Sequence, residues 1–369
     1  MISEYEFKNR MKLYLTPPGD GVFTVHTAKD KKDALKKKLF GNESVENQTY
    51  KAIWENNINE ELAKASLILL GIPSDTGGGI QRGANWGPLY LREALLQSYE
   101  EIKIFDIGDV FVNPHLLDDK YLNQETIDLC RLAQYGDEKI HLPVSPLSIA
   151  YDFANHFHEI YKSKKIFAIG GDHSVSYPLV RAYLESKKRL NKKVALIHFD
   201  AHTDLLKSRL GIDRCFGTWT SQIMPFLDSP KHLIQLGIRS SGKDRQHWEQ
   251  TFKHTQIWSD EIKHNPEKVA SKVVAELKSL GIEEVYISFD IDCLDESYAG
   301  ATGTPESKGL SPHEPMVIMQ SLYENFKITG ADIVEIAPLV KHPHLKQMEP
   351  ETTLMVASQL STFLIQAMQ

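Results

Sequence analysis

The sequence predicts an α/β protein: one three-layer α/β/α domain on a mostly parallel, doubly wound sheet over residues 66–369, with residues 1–65 as an N-terminal extension. Three observations predict it. Short apolar runs recur from Ser66 onward, helix-length segments separate them, and the runs lack the alternation expected of a sheet with one wet face. The runs are Ser66–Ile72, Lys165–Ile169, Val194–Phe199, His232–Gly237, Glu284–Phe289 and Asp332–Ile336. Strands apolar on both faces need helices on both faces. Pro178–Lys188, Pro266–Leu280 and Pro312–Phe326 supply crossover helices, the first and third opening with Ser/Pro signals. In such sheets ligands bind beyond the carboxyl ends of the strands.

The segment before Ser66 is polar and turn-rich, with Pro17-Pro18-Gly19, and reads as an extension laid over the main domain or on a neighbouring subunit. A formal charge of −7 argues against a general nucleic-acid binder. The basic cluster Lys29–Lys38 reads as a solvated helix face. No apolar run approaches the ~20 residues that span a bilayer. Cys130, Cys215 and Cys293 are too scattered for a disulfide framework or a thiolate metal site. Met1–Tyr5 lacks the basic-then-apolar pattern of a secretory signal, so a cytoplasmic location is expected.

The strand ends carry the chemistry. Gly170-Gly171-Asp172-His173-Ser174 follows one run, Asp200-Ala201-His202-Thr203-Asp204 a second, and Asp290-Ile291-Asp292-Cys293-Leu294-Asp295 a third. Glu335 sits inside the last. In extended backbone, residues two apart point the same way, so Asp200, His202 and Asp204 converge, as do Asp290 and Asp292. The glycine pair lets the chain turn sharply and frees His173 to reach over the sheet edge. Six donors rich in carboxylate, with two imidazoles and no thiolate, suit borderline-hard cations such as Mn²⁺. So many carboxylates do not stay ionised together without compensating charge, which two dications supply. Singly, each piece has a plainer reading. A lone Asp after a strand usually caps a helix, which suits Asp295 and Asp172, and a lone His is usually a hydrogen-bonded structural residue. The coincidence of all three motifs at strand ends favours metal.

GGDHS, HFDAHTD and SFDIDCLDESYAGATGTPE, in this order and spacing, resemble the signature blocks of the arginase–agmatinase–formimidoylglutamase (ureohydrolase) family from about Ser66 to the C-terminus. The resemblance implies an arginase-like parallel α/β fold and usually two Mn²⁺ per subunit, with Ni²⁺ or another divalent ion possible. It implies one site of His173, Asp200, Asp204 and Asp290, and another of Asp200, His202, Asp290 and Asp292. It also implies a trimer or hexamer. The implied reaction is hydrolysis: activated water attacks the guanidinium carbon, and the intermediate collapses to urea and an amine. Glu335 and Asp204 are the candidate catalytic residues, Glu335 by pairing with the guanidinium. The plainer reading of Glu335 is a buried ion pair. Thr302 and Thr304 are expected at the pocket rim.

The chain also departs from that family. Where many relatives place a proton-shuttling His, alignment on Gly217 gives Phe216, which moves no protons. Cys215 is a conceivable substitute, better read as packing. The loop Leu205–Arg209 and the stretch Ile238–Gly242 lack the arginase residues for the amino-acid head, so free arginine is not expected as substrate. Lys207, Arg209 and Arg214 offset only Asp213. That basic rim favours a carboxylate tail, as in guanidinobutyrate or formiminoglutamate, unless these cations are simply solvated. Arg209, Trp219, Thr302 and Glu335 are the candidate substrate contacts; Trp219 and Phe216 either stack on a planar guanidinium or pack the core. Asp75-Thr76-Gly77-Gly78-Gly79 lacks the Lys-Ser/Thr of a phosphate loop and reads, through Asn85, as the pocket entrance, with Asp75 or Asn85 near substrate. Two other readings stay open: a mononuclear zinc deacetylase, and a non-catalytic metal-binding relative.

Overall fold

Residues two apart in a strand face the same way, and this decides the layering. In the strand Leu67–Ile72, Leu67 and Leu69 join one buried apolar cluster, whereas Ile68, Leu70 and Ile72 join another. The computed structural model describes residues 2–22, 26–41, 47–96, 102–342 and 350–369, and in it the sheet lies between two helical layers. Its strands are β1 (Leu15–Thr16), β2 (Leu67–Ile72), β3 (Phe105–Val110), β4 (Lys165–Gly170), β5 (Val194–Phe199), β6 (Leu233–Ile238), β7 (Thr255–Trp258), β8 (Glu284–Asp290) and β9 (Lys327–Val334). They run in the order β1-β3-β2-β4-β9-β8-β5-β6-β7, parallel throughout except for the β1–β3 pair. Helices Gly87–Leu95, Pro266–Ser279, His313–Asn325 and Glu351–Ala367 cover one face. Glu4–Tyr14, Pro146–Ile160 and Ser176–Arg189 cover the other. Among the described residues no helix is long and apolar enough to cross a membrane.

Each apolar run read from the sequence overlaps a strand, but the last is displaced. β9 begins at Lys327 and stops at Val334, so Glu335 lies just past it with φ at +63°. Strand β3 escaped notice because its sequence, FDIGDV, is charged. The side chains of its Asp106 and Asp109 are buried around Arg92, which donates to Asp106 at 2.8 and 2.9 Å, to Gly108 O at 3.0 Å, and to Asp109. The other oxygen of Asp109 accepts from Gly19 N at 2.9 Å and Gly21 N at 3.1 Å. That latch, with Phe7, Met11 and Tyr14 buried beneath the first helix, ties the N-terminal residues to the sheet.

Arg92→Leu is therefore expected to lower unfolding stability by about 3–5 kcal/mol, since it strands two buried carboxylates. A urea midpoint shift measures the loss, and earlier proteolytic clipping near Gly19 shows release of the latch. An unchanged midpoint would mean the triad contributes nothing net.

Candidate metal centre

Strands β4, β9, β8 and β5 are neighbours, and the residues that follow β4, β5 and β8 meet at one rim. His173 Nδ1 lies 3.2 Å from Asp200 Oδ2, 3.3 Å from Asp204 Oδ2 and 3.0 Å from Asp290 Oδ2. His202 Nδ1 lies 3.4 Å from Asp200 Oδ1 and 3.1 Å from Asp292 Oδ2. The six expected donors thus form two lobes that share Asp200, one oxygen in each. Asp290 reaches the His173 lobe.

Strand alternation is not what gathers them. Asp290 Oδ1 accepts from Asp292 N at 2.9 Å, closing a turn around Ile291–Cys293. Asp200 Oδ1 accepts from His202 N at 2.6 Å, and Asp204 sits in the left-handed region at φ +51°. Short side-chain-to-backbone turns fold the donors inward after the strands have ended. The glycine pair also works differently from the expectation. Neither Gly170 nor Gly171 has a positive φ; a Cβ on Gly171 would overlap the carbonyl of Ser74. Space, not turning, requires glycine there.

One buried atom tests whether the residues fit a metal. Ser288 Oγ donates to Asp332 Oδ1 at 2.8 Å, so at 3.0 Å it accepts from His173 Nε2–H. Asp332 is fully buried and also takes hydroxyls from Ser176 (2.9 Å) and Tyr286 (2.7 Å). With its proton on Nε2, His173 aims a bare Nδ1 lone pair at three carboxylates. That Nδ1 is buried and makes no hydrogen bond. Lone pairs facing carboxylates repel unless a cation lies between, and the donor set of imidazole and carboxylate suits a divalent ion. The residues fit.

Other partners hold the donors in place, as metal ligands generally require. Trp219 Nε1 donates to Asp204 Oδ2 at 2.9 Å, and Thr304 Oγ1 to Asp292 Oδ2 at 3.0 Å. His202 Nε2 lies 3.3 Å from Glu306 Oε1, which also accepts from Ser240 Oγ at 2.7 Å. One expected substrate contact is thereby corrected. Trp219 is fully buried behind the centre, so its ring is not available to stack on substrate. Thr304 is half-buried and braces Asp292. Thr302 is fully buried, paired through its backbone with Ile336.

From protein groups alone, burial pushes Asp204 and Asp290 well above the usual carboxylate range, with neighbouring carboxylates adding to it. Burial also raises Asp200, but the imidazoles of His173, His198 and His202 beside it overcome that and hold Asp200 well below that range. Beside the lobes lies Glu335, raised by burial and then by Asp290, Asp172 and Asp75. Its Oε1 accepts from His173 N at 2.8 Å, and its own N–H bonds Gly171 O at 2.8 Å. Asp172 caps the turn at Ser174, as read from sequence, and also accepts from Gly77 N at 3.1 Å. Burial and Asp75 push its carboxyl up to about 7. Asp75 accepts from Ala84 N at 3.0 Å and from Gly83 N, so it braces the entrance loop that contains Asn85.

A cleft of about 290 Å³ opens between that loop and the hairpin Arg209–Ile212. Phe216 and Cys215 are among its lining residues. Arg209 lies 4.7 Å over the Phe216 ring. Burial raises the Cys215 thiol, which leaves it no thiolate character at neutral pH. The charge count of the loop needs correction: Arg214 is paired with Asp118, and Asp213 with Lys120 at 2.6 Å. Arg209 and Arg82 are the charged side chains of the cleft wall, and no carboxylate lines it among the described residues.

Sequence reading missed His198, Gln235, Ser288, Glu306 and Asp332. Polar residues within apolar strands were the available signal for all but Glu306.

Comparison with known proteins agrees with this geometry. The profile of the Arginase family matches residues 65–365. An agmatinase of Chromobacterium violaceum is 29% identical over 318 residues, 81% of this chain and 85% of its own. The human mitochondrial guanidino acid hydrolase is 30% identical over 296 residues, 73% of this chain and 70% of its own. Among solved structures, proclavaminate amidino hydrolase of Streptomyces clavuligerus superposes with a TM-score of 0.64 at 22% identity, covering 82% of this chain and 92% of that one.

Proposed function

Since the chain belongs to the arginase family, we propose that it hydrolyses a C–N bond in the guanidino or amidino group of a small molecule, as an agmatinase or guanidinobutyrase does with release of urea, and that free arginine is not its substrate. The observation that carries this reading is the pair of carboxylate–imidazole lobes sharing Asp200 beside the buried Glu335. His173, Asp200, Asp204 and Asp290 would hold one dication, and Asp200, His202, Asp290 and Asp292 the other, two Mn²⁺ or a related ion such as Ni²⁺. When bound, the pair supplies Lewis acidity and a water made nucleophilic at neutral pH. Glu335 binds the planar cation: Oε1 is held by the His173 amide, and Oε2 makes no hydrogen bond among the described residues. A carboxylate fixed there orients the guanidinium carbon toward the rim. Phe216 offers the leaving amine no proton.

The distal end of the substrate would meet Arg209 and Arg82, and among the described residues no carboxylate lines the cleft. An ammonium tail finds repulsion there; a carboxylate tail finds a partner. We therefore place a guanidino acid ahead of agmatine, as the name of the human relative suggests for that protein. The formimino reading shares the carboxylate tail and differs in product. A panel of agmatine, arginine, 4-guanidinobutyrate and formiminoglutamate, each with Mn²⁺, Ni²⁺ and Zn²⁺, separates them by urea or ammonia release. Arg209→Glu is expected to lower kcat/KM for the acid about 10-fold or more and to improve agmatine relative to it. Faster wild-type turnover of agmatine, with Arg209→Glu neutral, would overturn the tail assignment.

A further inference from the structure

His198 lies among the metal donors without a role in the reading above. It projects from β5, fully buried, with Nε2 at 2.8 Å from Asp200 Oδ2. Its ring is wedged 5.0 Å from those of both His173 and Trp219. By proximity it groups with His173, Asp200 and Asp204 as closely as a ligand would. Distance alone leaves two roles: a nitrogen lone pair for a cation, or an N–H for Asp200. The answer depends on which nitrogen carries the proton.

A hydrogen-bond chain running across three strands supplies that answer. Gln235 on β6 places Nε2 at 2.9 Å from His198 Nδ1 and 2.7 Å from Thr203 O. Its Oε1 lies 2.9 Å from His254 Nε2 and 2.8 Å from Gln256 Nε2 on β7. Gln256 Oε1 in turn accepts from Trp258 Nε1 at 3.1 Å. Gln235, Gln256 and His254 are almost wholly buried, so water does not relax these assignments.

Both ends have a fixed polarity. A peptide carbonyl only accepts, so at Thr203 the Gln235 amide must present its NH₂. An indole N–H only donates, so at Trp258 the Gln256 amide must present its oxygen, leaving its NH₂ for Gln235. The two ends, reasoned separately, orient Gln235 the same way: oxygen toward β7, NH₂ toward Thr203 and His198. Reversing it would set carbonyl against carbonyl at one end and amine against amine at the other. Each such buried mismatch costs about 1–3 kcal/mol. With Gln235 donating, His198 Nδ1 accepts. The proton of the neutral ring then sits on Nε2 and points at Asp200.

We propose that His198 is a hydrogen-bond donor to Asp200 and not a metal ligand, and that Gln235 is the positioning residue that fixes it in that tautomer. This rests on the binuclear reading of the centre and deepens it. Held on Oδ2 by His198, Asp200 keeps its shared carboxylate in one orientation, with Oδ1 toward the His202 lobe. The strand sequences HLIQLG and TQIW thus carry polar residues whose task is one and two strands away from where they stand.

The test is metal titration of apoprotein by calorimetry, with the tautomer read from long-range ¹H–¹⁵N spectra of histidine-labelled protein loaded with diamagnetic Zn²⁺. Wild type is expected to bind two ions and to show His198 as a neutral Nε2–H ring. His198→Gln, whose amide N–H reaches the same oxygen, is expected to keep both ions within about 3-fold of the wild-type affinity. His198→Phe and Gln235→Leu are expected to keep the stoichiometry but weaken binding about 10–100-fold, the scale of lost ligand support. A metal-bound Nε2, an Nδ1–H ring, or loss of one ion in His198→Gln would overturn the proposal. Should His198→Phe fail to fold, the wild-type spectrum and His198→Gln still decide it. A wild type that binds no second ion refutes the binuclear reading instead, a result distinct from either.

Discussion

Asp200→Asn is expected to cut metal content to at most one ion per chain and kcat/KM by at least ~10³-fold, about 4 kcal/mol of transition-state stabilisation. The substitution preserves shape and removes one anionic oxygen, and geometry leaves the amide no harmless orientation. With NH₂ at the Oδ2 position it faces the His198 N–H 2.8 Å away, donor against donor, and the His173 lobe loses an acceptor. With NH₂ at the Oδ1 position it loses the hydrogen bond from His202 N and turns a donor toward any cation in the His202 lobe. One lobe fails in either case. Elemental analysis after dialysis and an amine- or urea-release assay measure the two losses. Because added metal stabilises a protein that binds it, the rise in Tm on adding Mn²⁺ should also shrink in the variant. Two ions retained with more than about a tenth of wild-type activity would remove Asp200 from its bridging place.

The carboxyl-end rim and the donors at it were legible from sequence, because both leave local marks. A buried parallel strand writes an unbroken apolar run, as in VALIHF or EVYISF, and an Asp or His immediately after such a run stands out against it. What bends the donors together was not legible. The turn at Asp290–Asp292 and the left-handed backbone at Asp204 and Glu335 are imposed by neighbouring strands, and an Asp or Glu in the region that favours glycine gives no sequence signal. β3 was hidden for a related reason: Asp106 and Asp109 read as surface charge until Arg92 is known to lie between them. The support network was hidden most completely. Gln235 matters because β5 and β7 flank β6, and strand order is not written in any one strand. The loop Lys207–Arg214 misleads in the opposite way, since its Arg214 and its Asp213 are paired with Asp118 and Lys120 from elsewhere in the chain.

Glu335→Gln separates substrate binding from metal binding in a way no ligand substitution does. Glu335 occupies left-handed backbone just beyond β9, a conformation that costs a side-chain-bearing residue roughly 1 kcal/mol. Its charge lies among Asp290, Asp172 and Asp75, where burial and repulsion both oppose ionisation. Among the described residues Glu335 has no ion pair, and burial and its acidic neighbours outweigh the His173 amide that favours its charge, which is the pattern of a group held for a ligand. Gln retains an oxygen for the His173 amide, so the turn and the metal donors should stay in place and metal content should stay at the wild-type value. The lost interaction is the charge-assisted pair with the substrate cation. Two such hydrogen bonds, each worth about 1.5–3 kcal/mol, correspond to a fall of about 10²–10⁴ in kcat/KM. The metal-depleted variant should also melt higher than metal-depleted wild type, because a repelled buried carboxylate has gone. Lost activity with intact metal and a raised Tm is the expected signature. Lost metal would make Glu335 part of the ligand scaffold, and a lowered Tm would make it the structural ion-pair residue of the plainer reading.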